Sequence, residues 1–251
     1  MSLNFPEFPD DSALGTNFKY RRFIQLALHG EMELGNTDIS YPYTIDVLKE
    51  GYSIVQEGGS TSNACGTITL VKGPHNIIVD TGLPQDKSLI LQGLARHELT
   101  ADDVHYVVCT HGHSDHVGNL NLFPNATFIV GHDISKGDEY QLHDFKQGIP
   151  YEIDAYVEVI PTPGHTRGDV SVVVYRTCYG TVVIAGDTFE KFEDLEDSDI
   201  WQNNSELPED QEQSRIEVFK LADYIIPGHG PMFKVPDEFK HEVKIVRTPT
   251  E

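Results

Sequence analysis

The chain has 251 residues, enough to bury a sizeable core, and its 39% hydrophobic content with 21 glycines suits an ordinary α/β protein. Its 40 acidic against 18 basic residues give a formal charge of −22, which opposes nonspecific binding to nucleic acid or anionic lipid. No apolar run approaches the roughly 20 residues of a membrane span. The opening stretch, MSLNFPEFPDDSALG, has no basic region leading into an apolar one, so a cytoplasmic protein, not a secreted one, is expected.

Residues 1–40 are polar and weakly periodic and read as an N-terminal extension to a single domain over 41–251. From Tyr43 onward, YTIDVL, GTITLV and NIIVDTG have the composition of successive strands, the third closing in a turn at Asp80 and Gly82. The stretch DKSLILQGLARHEL carries apolar residues at helical spacing. A buried strand, VHYVVCTH, then runs into HGHSDH. In the second half TFIVGH, YVEVIPTPGH, DVSVVVY and GTVVIAGD read as strands, EDQEQSRIEVFKLA as a helix and DYIIPGHG as a last strand. Two runs of strands, each followed by helical cover, predict an α/β fold of two packed sheets with helices outside, a four-layer αββα sandwich. Glu190 to Glu217 holds eleven acidic residues against Lys191 and Arg215, and reads as a solvated loop and helix face.

Cys65, Cys109 and Cys178 are an odd, sparse set that fits reduced thiols, and Cys109 at the end of an apolar run reads as a small buried hydrophobe. The polar clusters carry the chemistry. HGHSDH places His111, His113, Asp115 and His116 within six residues, and three later apolar runs end in tight glycine turns at His165, Asp187 and His229. Such groups at several strand ends build a site on one edge of a sheet. His111 and His113 are two apart and point the same way in extended backbone. Asp115 and His116 are adjacent; if they begin a helix they project roughly 100° apart and cannot join the same face. The stretch therefore reads as built for two metals. Imidazole and carboxylate without thiolate suit two Zn²⁺, with Fe or Mn as alternatives.

HGHSDH followed by His165, Asp187 and His229, with VDTG upstream, resembles the metallo-β-lactamase superfamily pattern HxHxDH–H–D–H. The resemblance implies a first metal on His111, His113 and His165, and a second on Asp115, His116 and His229. Asp187 would bridge them and Asp80 would orient a ligand imidazole. It implies hydrolysis by a metal-activated hydroxide, with Asp115 as the catalytic residue that orients it and handles its proton. His132 and His143 are leaving-group acids by residue type only, and a structural role suits each better.

Aspartate at 187 disfavours the true β-lactamases, where cysteine is typical, and histidine at 113 disfavours the flavodiiron branch. About twenty residues follow His229, too few for the added domains of large nucleic-acid-cleaving members or of typical glyoxalase II. TPGHTRGDVSVVV, GTVVIAGDTFE and ADYIIPGHGPMFKV are similar to a branch of short, single-domain animal members. That similarity implies a homodimer with two zincs and endoribonuclease activity at the 3′ end of histone pre-mRNA. The charge of −22 opposes an RNA partner, since few cations remain to meet phosphates. A glyoxalase II-like hydrolase of a small thioester is the alternative, followed by a mononuclear iron persulfide dioxygenase. A binding protein keeping metal for stability is disfavoured because every ligand position is present.

Overall fold

The computed structural model describes residues 41–56 and 61–242; the N-terminal extension expected over 1–40 lies outside the described residues. One sheet runs β1 (Thr44–Lys49), β4 (Ile68–Lys72), β5 (Ile77–Val79), β6 (Tyr106–Cys109), β7 (Thr127–Val130), β8 (Asp133–Lys136) and β9 (Glu139–Gln141). The other runs β10 (Tyr151–Glu152), β11 (Val157–Pro161), β12 (Val170–Thr177), β13 (Gly180–Gly186), β14 (Tyr224–Pro227) and β15 (Phe233–Lys234). A separate hairpin pairs β2 (Tyr52–Val55) with β3 (Ser62–Cys65).

Near-continuous apolar runs form the central strands because both of their faces are covered. Ile77, Val79 and Val108 point inward and pack against Val159, Val172, Val182, Ile184 and Ile226 of the second sheet. The alternate residues Ile78, Val107 and Cys109 point outward onto Ile90 and Leu94 of α1 (Lys87–Arg96). On the far side Val173, Val183 and Ala185 lie under a longer helix, separated from β13 by the short α2 (Asp199–Gln202). That longer helix is α3 (Pro208–Leu221), which opens on proline and buries Gln211, Ser214, Arg215, Val218 and Phe219, one face at a helical period. A last short helix, α4, spans Asp237–Glu242. The result is the four-layer αββα sandwich expected from the order of strands and helices. Full burial of a single core valine or isoleucine contributes ~1.5–3 kcal/mol, so the double-sided strands hold these layers together.

Every strand and both helices read from the sequence are present. The hairpin β2–β3, the short strands β8, β9, β10 and β15, and the helices α2 and α4 are additional. Tyr52, Ile54 and Val55 of the hairpin are exposed, so it carries no buried alternation to read. Asp115 and His116 do not begin a helix. They lie in a turn closed by the His116 N–H donating to the His113 carbonyl at 3.0 Å.

Strand direction places the site. β5 and β6 are parallel, β13 and β14 are parallel, and β11 runs with β13 because both are antiparallel to β12. Their carboxyl ends therefore share an edge in each sheet. The Val170 N–H donates to the Thr110 carbonyl at 2.9 Å, tying those edges together.

Candidate metal centre

All seven singled-out residues meet at this joint. His111 and His113 follow β6, His165 follows β11, Asp187 follows β13 and His229 follows β14. His111 Nε2 lies 2.9 Å from His113 Nδ1, which lies 3.0 Å from His165 Nε2. Asp187 Oδ2 is 3.6 Å from His111 Nε2 and 3.3 Å from His165 Nε2. On the other side, Asp115 Oδ2 is 3.9 Å from the Nε2 atoms of both His116 and His229. Asp187 reaches this group too, its Oδ1 at 3.2 Å from His116 Nε2 and its Oδ2 at 3.2 Å from His229 Nε2. Two tripods of donor atoms thus share one carboxylate. His113 is exposed and Asp115 half-buried, so the centre opens on their side.

A backing layer aims the rings. Asp80, just past β5, accepts from His116 Nδ1 at 2.8 Å and from the Thr110 N–H at 2.7 Å. Asp80 sits at φ 57°, a left-handed conformation that short polar side chains tolerate at some cost. His229 Nδ1 donates to the Cys65 carbonyl at 3.1 Å, leaving its Nε2 inward. Two glycines permit the close approach: a Cβ at Gly66 would stand 2.8 Å from the His116 ring, and one at Gly228 would collide with Asp187 Oδ1.

Asp115 Oδ2, His116 Nε2 and Asp187 Oδ1 are buried without a hydrogen-bond partner, although they converge. Electron-pair donors packed this way call for cations between them. Protonation shows the same need. Burial works against charge on His116 and His229, but Asp187 outweighs it, holding His116 well above its ordinary value and pushing His229 up to about 9. Burial would raise the Asp187 carboxyl, yet the surrounding imidazoles hold it well below the carboxylate range. His111 goes the other way, lowered by burial and by the neighbouring His116. Protons on His116 and His229 supply the positive charge that bound metals would bring.

The acidic stretch departs from the solvated face expected of it at two points. Glu190 is 3% exposed and its Oε2 lies 3.9 Å from His229 Nε2. Burial and the Asp187 charge push its carboxyl up to about 8. Asp194 is buried under Arg215, which donates to its two carboxylate oxygens at 2.7 and 3.0 Å. Neither stood out among so many acids, although the apolar Phe189 before Glu190 was an available hint. Cys109 is buried as expected, and no sulfur joins the donor groups among the described residues. His132 stacks on Phe145, and His143 packs edge-on against Phe145 and Tyr151; neither joins the donor groups.

A four-layer sandwich with five histidines and two aspartates at its joined strand ends defines a metal-binding protein of the αββα class. The chain belongs to the metallo-beta-lactamase superfamily, whose profile matches residues 66–229. Among curated relatives, metallo-beta-lactamase domain-containing protein 1 of Xenopus laevis is 48% identical over 196 residues, 77% of this chain and 82% of that protein. The human protein of the same name is 42% identical over 223 residues, covering 77% and 83%. A solved N-acyl homoserine lactone hydrolase superposes with a TM-score of 0.53 at 20% identity, over 75% of this chain and 92% of that one, a likeness of fold. No helix among the described residues is long and apolar enough to cross a membrane.

Proposed function

We propose that this superfamily member, a metal-dependent hydrolase, works through two metal ions, zinc by donor type, held in one centre. His111, His113 and His165 hold one ion, Asp115, His116 and His229 the other, and Asp187 both. The observation that carries this reading is the placement of Asp187 within 3.2–3.6 Å of imidazoles from both tripods. Divalent cations bound there supply Lewis acidity and bring the pKa of a shared water down toward neutrality. The chain's own residues do the rest. Asp80 and the Cys65 carbonyl fix the His116 and His229 tautomers, so that each ring offers a lone pair inward. Asp115, at the open side, orients the attacking water and holds its proton.

For the bond cut, the proposal is the phosphodiester of RNA, supported by the sequence resemblance that also implies a homodimer in cytoplasm or nucleus. A second reading, hydrolysis of a small thioester, is favoured by charge. Arg167, two residues past His165, is 79% exposed and already faces Glu206, while Lys191 sits beside the buried Glu190. That is little to grip a polyanion. The test is a side-by-side assay of zinc-loaded protein on structured RNA and a thioester panel, with metal analysis. RNA cleavage that Asp187→Ala abolishes upholds the proposal, and thioester turnover alone replaces its substrate half. One iron per chain, or hydrolysis that survives Asp187→Ala, overturns the dinuclear reading.

A further inference from the structure

Glu190 is a carboxylate in the wrong place for a structural acid. It is 97% withdrawn from solvent, and among the described residues no lysine or arginine pairs with it. Its side-chain neighbours are the Asn204 amide, which donates to Oε1 at 3.3 Å, and His229 Nε2, 3.9 Å from Oε2. A buried carboxyl with so little company is costly to ionise unless a cation stands near it. Only the metal centre can provide one: donor atoms of Asp187, Glu190 and His229 all lie within 4.8 Å of one another.

The position is also built. The Glu190 carbonyl accepts the His229 N–H at 2.8 Å, so the two residues are locked together along the backbone. The Glu190 N–H donates to Asp194 Oδ2 at 2.7 Å, and Asp194 is clamped by Arg215. Arg215 in turn stacks over Phe189 and Trp201, 4.1 and 4.9 Å from their ring centres. A salt bridge buried against α3 thus fixes the backbone from which the Glu190 carboxylate reaches His229.

Resting on the dinuclear reading above, we propose that Glu190 is an eighth metal-centre residue, a third carboxylate belonging to the Asp115–His116–His229 position alone. The two positions are then chemically unequal. One offers three imidazoles and a share of Asp187; the other offers two imidazoles, Asp115, a share of Asp187 and Glu190. Oxygen-rich surroundings favour harder cations such as Mn²⁺, and nitrogen-rich ones favour Zn²⁺. The first position is therefore the zinc-selective one, and the second accepts Mn²⁺ in its place.

Glu190→Gln tests this without removing a side chain from the core. Metal-stripped full-length protein is titrated with Zn²⁺ and with Mn²⁺ by calorimetry, and bound Mn²⁺ is counted by electron paramagnetic resonance. Wild type should take two zincs, or one zinc and one manganese. Glu190→Gln should weaken the second event about tenfold or more, the size expected when a metal-supporting carboxylate is lost, and leave the first unchanged. The stripped variant should melt no lower than stripped wild type, because the amide matches the buried carboxyl in size and carries no charge to bury. Glu193→Gln, at an exposed neighbouring acid, is the control that should change nothing. Unchanged second-site affinity in Glu190→Gln, or equal weakening at both sites, overturns the assignment. Wild type that binds only one ion overturns instead the dinuclear reading beneath it.

Discussion

Asp80 offers the sharpest test of how the centre is aimed. Its Oδ2 accepts from His116 Nδ1 at 2.8 Å and its Oδ1 accepts from the Thr110 N–H at 2.7 Å, so both oxygens are committed as acceptors. Asp80→Asn is nearly the same size and tolerates the same left-handed backbone. It has, however, only one acceptor oxygen. With that oxygen on Thr110, the amide NH₂ faces His116 Nδ1 and forces the imidazole proton onto Nε2, the atom 3.2 Å from Asp187. That nitrogen then has no lone pair for a metal. With the amide turned over, the buried Thr110 N–H loses its acceptor, at a cost of about 1–3 kcal/mol. Either arrangement should weaken metal binding at the His116 position tenfold to a hundredfold, or ~1.4–2.7 kcal/mol. The assay is calorimetric titration of metal-stripped Asp80→Asn with Zn²⁺, alongside detection of the His116 tautomer by nitrogen NMR. Wild-type affinity at both positions, with the proton still on His116 Nδ1, would refute the account of tautomer control.

Three further outcomes follow from the same contacts. Arg215→Met leaves Asp194 buried without its partner and should cost about 3–5 kcal/mol in urea denaturation, part of it restored by adding Asp194→Leu. Chelation should lower the melting temperature. If the free metal stands at about a thousand times its dissociation constant, the ~4 kcal/mol of linkage amounts to roughly 8–16 °C in a domain of this size. In stripped protein, His229 titrates at about 9 when folded against an ordinary 6.5. Its contribution is complete below pH 6.5 and is lost as pH rises through 9, and His116 acts in the same direction. Urea stability of stripped protein should therefore fall between those values, while metal-loaded protein, whose imidazoles hold cations instead of protons, should stay level.

The readable parts of this chain are those where chemistry and periodicity coincide. Ile77–Val79 and residues 107–109 and 172–174 are apolar on both faces, so their burial between sheet and helix follows from composition alone. The seven donor residues stood out because each ends such a run in a turn. Less legible was the exposed hairpin β2–β3, where Ile54 and Val55 face solvent and no core enforces a pattern. The turn at Asp115 was equally obscure, because its conformation is set by the His116 ring reaching Asp80, 36 positions back in sequence. Glu190 was hidden for a statistical reason. A buried acid in a segment of eleven acids has no local signature, and only tertiary contact with His229 singles it out.

Why position 187 carries a carboxylate follows from the distances. Its Oδ1 faces His116, while Oδ2 lies near His165 and His229 and, at 3.6 Å, His111. A cysteine thiolate has one donor atom and could serve one tripod well or both poorly. Aspartate presents two oxygens, Oδ1 of which is buried without a hydrogen-bond partner, and the absence of a side chain at Gly228 makes room for it. The same carboxylate also accounts for the opposed shifts of its neighbours, raising His116 and His229 against burial while its own proton is driven off. A cation entering one tripod draws on charge the other also uses, so each ion changes the affinity left for the next. On that argument the two positions act as one unit, and the loss of Asp187 should cost more than the loss of any single histidine.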